Sequence, residues 1–276
     1  MEDLAPALAA AVIWAYASIA YRDFMVGLGV IRLNVLRMIY ASLALLVPSL
    51  VLGITPAAAY GAVSGVLSLA LGDSLYLRGI KAAGVSTALP AAYSYIVMEQ
   101  FVAVPLGEPL KPAFLAAAGL VLIGVYLLAG RGGSGGGSGK AVGVAYSLAA
   151  AVAWSMGYAA IRVAGMHGLN PVSTAFTRVA AALPVLALAS GGGVGGAVKA
   201  TWRTPLPLIA VLDLGVGSAL FAYSSVAVGL APTVIATGAA PLAAQLFSRA
   251  MGRERPTLRE YAAAIIVLLA VAISFQ

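Results

Sequence analysis

Residues 131–140 read RGGSGGGSGK. Gly and Ser supply no apolar side chains to a core, and Gly loses the most freedom on ordering, so this stretch reads as a flexible connector that forms no helix. The sequence on its two sides is almost unbrokenly apolar, and the sides resemble each other: residues 8–14 are LAAAVIW and residues 148–154 are LAAAVAW. The same offset of 140 relates Arg22 to Arg162. The connector therefore joins two copies of one unit, residues 1–130 and 141–276, and that repeat decides the fold before any single residue is weighed.

Composition fixes the solvent. The chain is 62% hydrophobic and only 9% charged, which is membrane-protein usage and far from that of a soluble domain. Its net charge of +7 would suggest nucleic acid in a soluble protein, but the basic residues sit mostly between apolar runs, where they anchor loops; no nucleic-acid partner is expected. With no Cys and one His, His167, neither a disulfide framework nor a Cys/His metal site is available, and no cofactor is implied. Glu2 and Asp3 stand where a secretory signal carries basic residues, so residues 4–21 read as a first membrane helix.

A helix crossing about 30 Å of hydrocarbon needs about 20 residues. Breaking the chain at its charges, Gly and Pro predicts ten spans: 4–21, 33–52, 58–79, 86–106 and 112–130, then 141–161, 171–190, 205–228, 231–250 and 257–275. Residues 191–204 form the longest irregular loop besides the connector. Five spans per unit is an odd number, so the second unit enters from the opposite side. The expected fold is an all-α integral membrane protein of ten transmembrane helices in two inverted five-helix repeats, a geometry suited to alternating access. Loops after the odd-numbered spans hold Arg22, Arg32, Arg78, Lys81, Arg131, Lys140, Lys199, Arg203, Arg249, Arg253, Arg255 and Arg259, against Lys111 and Arg162 on the other side. That bias puts the odd loops in the cytoplasm of a plasma-membrane protein and both termini outside.

From Gly72 the first unit reads GDSLYLRGIKAAGVSTALPAAYSYIVMEQFVAVPLGEPLKPAFLAAAGLVLIGVYLL, and the matching part of the second reads GLAPTVIATGAAPLAAQLFSRAMGRERPTLREYAAAIIVLLAVAISF. Both resemble the end of an EamA unit of the drug/metabolite transporter superfamily: small residues open the fourth helix, a Gly-Glu-type turn follows, and the fifth helix is rich in Gly and aliphatics. The Trp of each first helix and the Arg of each second, Arg37 and Arg178, fit the same pattern. The chain departs from it at Ser94-Tyr95 and Ala240-Pro241, where relatives carry a Glu-Pro-like pair, and at Arg253-Glu254 in the second turn. The resemblance implies export or import of small metabolites, amino acids among them. Some members of that superfamily have cytosolic termini, so the opposite orientation stays open.

Charged groups inside a membrane are expensive and so mark candidate sites. Glu99 lies about thirteen residues into the fourth span, roughly 20 Å deep at 1.5 Å per residue. It reads either as a carboxyl for a substrate ammonium or a coupling proton, with Tyr95 one turn away, or as a structural partner for Arg178 at similar depth. Arg37 and Asp73 fall at matching depth and form either an ion pair or a gate for a substrate carboxylate. Asp213 sits near the middle of the eighth span with no partner evident in the sequence, and Gln245 occupies the position equivalent to Glu99. Trp14, Trp154, Tyr40 and Tyr223 are candidates for an aromatic cavity lining or for interfacial anchors. Glu108 and Glu254 precede the fifth and tenth spans and are expected to stabilise those helix N-termini.

Enzyme motifs fail. Gly132–Gly136 formally matches GxSxG but lacks a preceding strand and a partner His, and Gly139-Lys140 lacks the other elements of a phosphate loop. The expectation is therefore a non-enzymatic secondary transporter of small organic metabolites, most simply an exporter. It would act as a monomer or weak homodimer in the lipid bilayer, with uniport or proton coupling. The competing reading, a cation channel or Mg²⁺-type pathway, requires a ring of carboxylates that Asp73, Glu99 and Asp213 do not obviously form.

Overall fold

The computed structural model describes residues 4–113, 116, 119, 120, 123, 124, 127, 137–252 and 257–273, and among them every regular element is helical. Helix α1 (Ala5–Leu28) has Pro6 in its first turn, where the missing N–H removes no helical bond. It stops at Gly29, and α2 (Val30–Leu52) starts at the next residue. Helix α3 (Ala58–Ala83) contains a π-helical stretch at Gly65–Gly72. It is followed by α4 (Val85–Ala92), α5 (Tyr95–Val102) and a 3₁₀ turn at Val104–Leu106.

Helix α6 (Gly137–Met166) leads to α7 (Pro171–Ala189), which is capped by Asn170 accepting the Ser173 N–H at 2.8 Å. A short α8 (Val194–Thr201) precedes α9 (Leu206–Val228), which contains a second π-helical stretch at Val211–Gly217. The chain then forms α10 (Leu230–Thr237), α11 (Ala240–Ala250) and α12 (Leu258–Ile273). Single glycines at Gly84 and Gly229, with φ of 79° and 101°, let one helix follow another without a loop, a conformation that disfavours residues with a Cβ.

Helices α2, α3, α6, α7 and α9 are each long and apolar enough to cross a bilayer. Small residues are frequent in the interior, and large aliphatic ones are frequent on the outside. Ala, Gly and Ser fill many of the contacts between helices, whereas Leu43, Val47, Leu50, Val51 and Leu188 point outward, as a lipid-facing surface requires. Helix α3 packs on α6 and α7, and α2 packs along α7 and against α9, so segments before and after the connector are interleaved. The GxxxG of α3 makes this possible: a Cβ on Gly61 would strike the Thr177 side chain, and one on Gly65 the Arg178 backbone.

The structure departs from several boundaries expected from the sequence. The first span continues past Arg22 and Asp23 to Leu28, because Gly29 ends it and the charges do not. Residues 137–140, expected in a connector unable to form helix, begin α6; the long apolar run after them propagates helix backwards, and Lys140 is tied to Glu260 at 2.6 Å. Residues 131–136 and most of the expected fifth span lie outside the described residues, as do Arg253, Glu254 and Arg255. The loop expected at 191–204 contains α8, whose Ala197 and Thr201 are buried.

Most consequential, the fourth and ninth spans are each broken, at Tyr93-Ser94 and at Gly238-Ala239. In the fourth, Pro90 has no N–H to offer the carbonyl of Ser86, and Gln245 Nε2 of α11 donates to that carbonyl at 3.2 Å instead. Each fragment of eight residues is about 12 Å long, too short to cross a bilayer alone.

Candidate functional site

The two π-helical stretches determine what faces the interior. The first presents Ser68 and ends at Asp73; the second carries Asp213 and ends at Ser218. Opposite them, Asn34 and Arg37 lie one turn apart on α2, and Arg178 lies on α7. Arg37 Nη2 donates to Asp73 Oδ2 at 2.8 Å and to Asp213 Oδ2 at 2.7 Å, while its Nη1 donates to Asn34 Oδ1 at 2.9 Å. Asn34 is fixed in turn by donating to the Leu69 carbonyl at 2.8 Å, inside the π-helical stretch. Tyr21 donates its hydroxyl proton to Asp213 Oδ2 at 2.7 Å, and Arg37 stacks over its ring at 4.4 Å from the centroid.

The tryptophans reach across. Trp154 Nε1 donates to Asp73 Oδ1 at 2.9 Å, and Trp14 Nε1 donates to the Asp213 backbone carbonyl at 3.2 Å. Each Trp thus contacts the aspartate from the opposite side of the connector.

Arg178 is held differently. Its Nε, Nη1 and Nη2 donate to Ser64, Ser218 and Ser68 at 3.0, 2.8 and 2.9 Å. All three partners are neutral hydroxyls, although Arg178 is only 2% exposed. Arg37, Arg178, Asp73 and Asp213 all border one chamber of about 50 Å³, with Trp14, Trp154, Tyr21, Tyr76, Tyr93 and Tyr158 among its walls. Trp14 and Tyr158 lie 1° from parallel with centroids 6.4 Å apart. The space has room for a few waters and is far below the 300–1,000 Å³ of ordinary ligand pockets.

The expected site residues therefore divide. Trp14, Trp154, Arg37, Asp73, Arg178 and Asp213 come together. Asp213, for which the sequence offers no partner, has two, Arg37 and Tyr21. Arg178 bonds to serines and not to Glu99. Tyr95 lies behind the wall, bonded to Thr237 and packed edge-on against Trp154 and Tyr158. Tyr40 bonds to Thr201 of α8 at 2.7 Å, Tyr223 is on the outer surface, and Gln245 bridges the carbonyls of Ser86 and Glu260. Glu99 is buried elsewhere on α5.

Sequence reasoning missed Tyr21, Asn34, Ser64, Ser68 and Ser218. Asn34 three positions before Arg37, and Ser64 four before Ser68, were readable as shared helix faces.

A model of the EamA-like transporter family matches residues 4–130 and 141–276. A protein of Archaeoglobus fulgidus described as an uncharacterized transporter is 27% identical over 281 aligned positions, covering 98% of this chain and 97% of that one. A solved crystal structure resembles the fold with a TM-score of 0.69 at 21% identity, covering 100% of this chain and 98% of the other.

Proposed function

The chain belongs to the EamA-like transporter family, and from that premise we propose that it is a secondary carrier of small zwitterionic metabolites such as amino acids, most simply an exporter. The observation that carries this reading is the chamber's charge pattern. Arg37 with Asp73 and Asp213 sums to one negative charge, and Arg178, held only by serines, is one positive charge. A substrate ammonium is attracted to the acidic cluster. Its carboxylate suits the Arg178 fork, whose neutral partners leave the charge without a direct counter-ion among the described residues. The aromatic walls offer contact to an apolar or amphipathic side chain. With two arginines interleaved among its carboxylates, the chamber is a poor cation pore, which weighs against the channel reading.

Transport then works by alternating access between two inverted five-helix repeats, residues 1–130 and 141–276, joined by residues 131–140. The two separate family matches support this division. So do paired features: a lone glycine at Gly84 and Gly229, a π-helical stretch in α3 and α9, and helix breaks in corresponding places. Interrupted helices in equivalent positions of two halves are the usual mark of a carrier's substrate site. The Lys/Arg bias favours a plasma-membrane protein with its odd loops in the cytoplasm.

Thermal unfolding of purified protein with a panel of amino acids tests the site. At a hundredfold excess over Kd a ligand stabilises by about 2.7 kcal/mol. Selected α-amino acids are expected to raise Tm in the wild type and not in Arg178→Gln, while the matching amines without a carboxyl leave both unchanged. Equal shifts from amine and amino acid, or an undiminished shift in the variant, would overturn the assignment.

A further inference from the structure

Outside the chamber, one buried ionisable side chain has no evident use. Glu99 of α5 is fully buried, and neither of its carboxylate oxygens has a hydrogen-bond partner among the described residues. Ser155 Oγ of α6 faces it outside hydrogen-bond geometry and is itself unbonded. The nearby cations are committed elsewhere. Arg178 is held by three serines, Arg37 by two aspartates, and Arg162 by the carbonyls of Ser225 and Val226 beside Glu108. The titratable groups facing Glu99 are Tyr95 on its own helix, Tyr158 of α6 and Glu108 beyond the 3₁₀ turn, none of them a cation. Helix α10, which also packs on α5, contributes no titratable residue, and residues 112–130 of the sequence contain only Tyr126.

A bare carboxylate without a donor or counter-ion is the least favoured arrangement for a buried charge. A carboxylic acid brings its own O–H donor, with Ser155 Oγ the acceptor beside it. A buried amide after the connector sharpens the contrast. Gln245 carries permanent N–H donors and uses them on the carbonyls of Ser86 and Glu260, at 3.2 and 3.0 Å. Glu99 has a donor only when it holds a proton.

We propose that Glu99 is a proton-binding carboxyl, neutral in this conformation, that gives its proton to water when α5 separates from α6. This rests on the carrier reading. Helix α5 joins α4 through the break at Tyr93-Ser94, and Tyr93 lines the chamber, so a change in the chamber is passed directly to α5. A group that binds a proton in one conformation and loses it in another links the proton gradient to the conformational equilibrium.

Infrared spectra of protein reconstituted in lipid without substrate read the proton itself. The carbonyl stretch of a protonated acid is expected in the wild type at neutral pH, absent from Glu99→Gln, and shifted in Ser155→Ala, where the acceptor is gone. A wild-type spectrum identical to that of Glu99→Gln would overturn the proposal. In proteoliposomes, a gradient of one pH unit is expected to drive up to about tenfold accumulation of labelled amino acid in the wild type, for one proton per solute. In Glu99→Gln the solute should equilibrate only, with exchange retained. Undiminished gradient-driven accumulation in the variant would overturn the coupling role. If the wild type moves no amino acid, the carrier reading and the coupling role fail together, and the spectrum still decides whether Glu99 holds a proton.

Discussion

Arg37 ties two carboxylates from distant parts of the chain to one guanidinium, and removing that guanidinium strands two like charges in a buried place. Arg37→Gln takes the charge from a residue bonded to both Asp73 and Asp213. Breaking a buried, hydrogen-bonded ion pair costs about 3–5 kcal/mol, so this variant is expected to unfold markedly earlier in denaturant than the wild type. A change below about 0.5 kcal/mol, the ordinary size for surface substitutions, would show that the cluster does not hold the helices together. Half of this cluster was legible in the sequence. Matching depth in neighbouring spans suggests Arg37 with Asp73. The third member was not, because Asp213 lies 176 residues from Arg37 and no local pattern reports a contact of that separation. Tyr21 was hidden by the reasonable rule that charged Arg22 ends a span; a glycine seven residues later ends it instead.

Helix breaks and helix ends are where the sequence reading was least complete. The division of the fourth span into two short helices follows from tertiary partners such as Gln245, which takes up the carbonyl that Pro90 leaves free. Glu108 was expected to stabilise the helix that follows it. Its carboxylate accepts the N–H groups of Leu230 and Ala231 at 2.6 and 2.8 Å, capping α10 from across the connector, with Arg162 at 3.7 Å, while the helix expected after it lies mostly outside the described residues. This contact latches one face of the molecule. Hydrogen bonds to a charged group are worth about 2 kcal/mol, enough to shift a two-state equilibrium roughly thirtyfold. The chain has no Cys, so spin labels can be placed cleanly at Leu110→Cys and Ala227→Cys. Glu108→Ala is expected to lengthen and broaden the distance between them; an unchanged distribution would mean that the face is held shut by something else.

The all-helical, membrane-spanning character was legible, because a chain this apolar admits few folds; the Gly/Ser stretch between two similar halves suggested an internal repeat. What composition and spacing could not supply is the interleaving of those halves, with each Trp meeting the other half's aspartate and α3 pressed against α7 through Gly61 and Gly65. That interleaving puts the charge cluster and Arg178 around one chamber, and the chamber is what a carrier must open to either side. Flux of labelled amino acids in proteoliposomes, wild type against Arg178→Gln, tests this most directly. The account predicts saturable uptake that accelerates when the vesicles are preloaded with unlabelled solute, and a loss of at least about tenfold in the variant, equivalent to about 1.4 kcal/mol of lost binding. Uptake that rises linearly without saturation, or a cation conductance with no amino-acid flux, would contradict it.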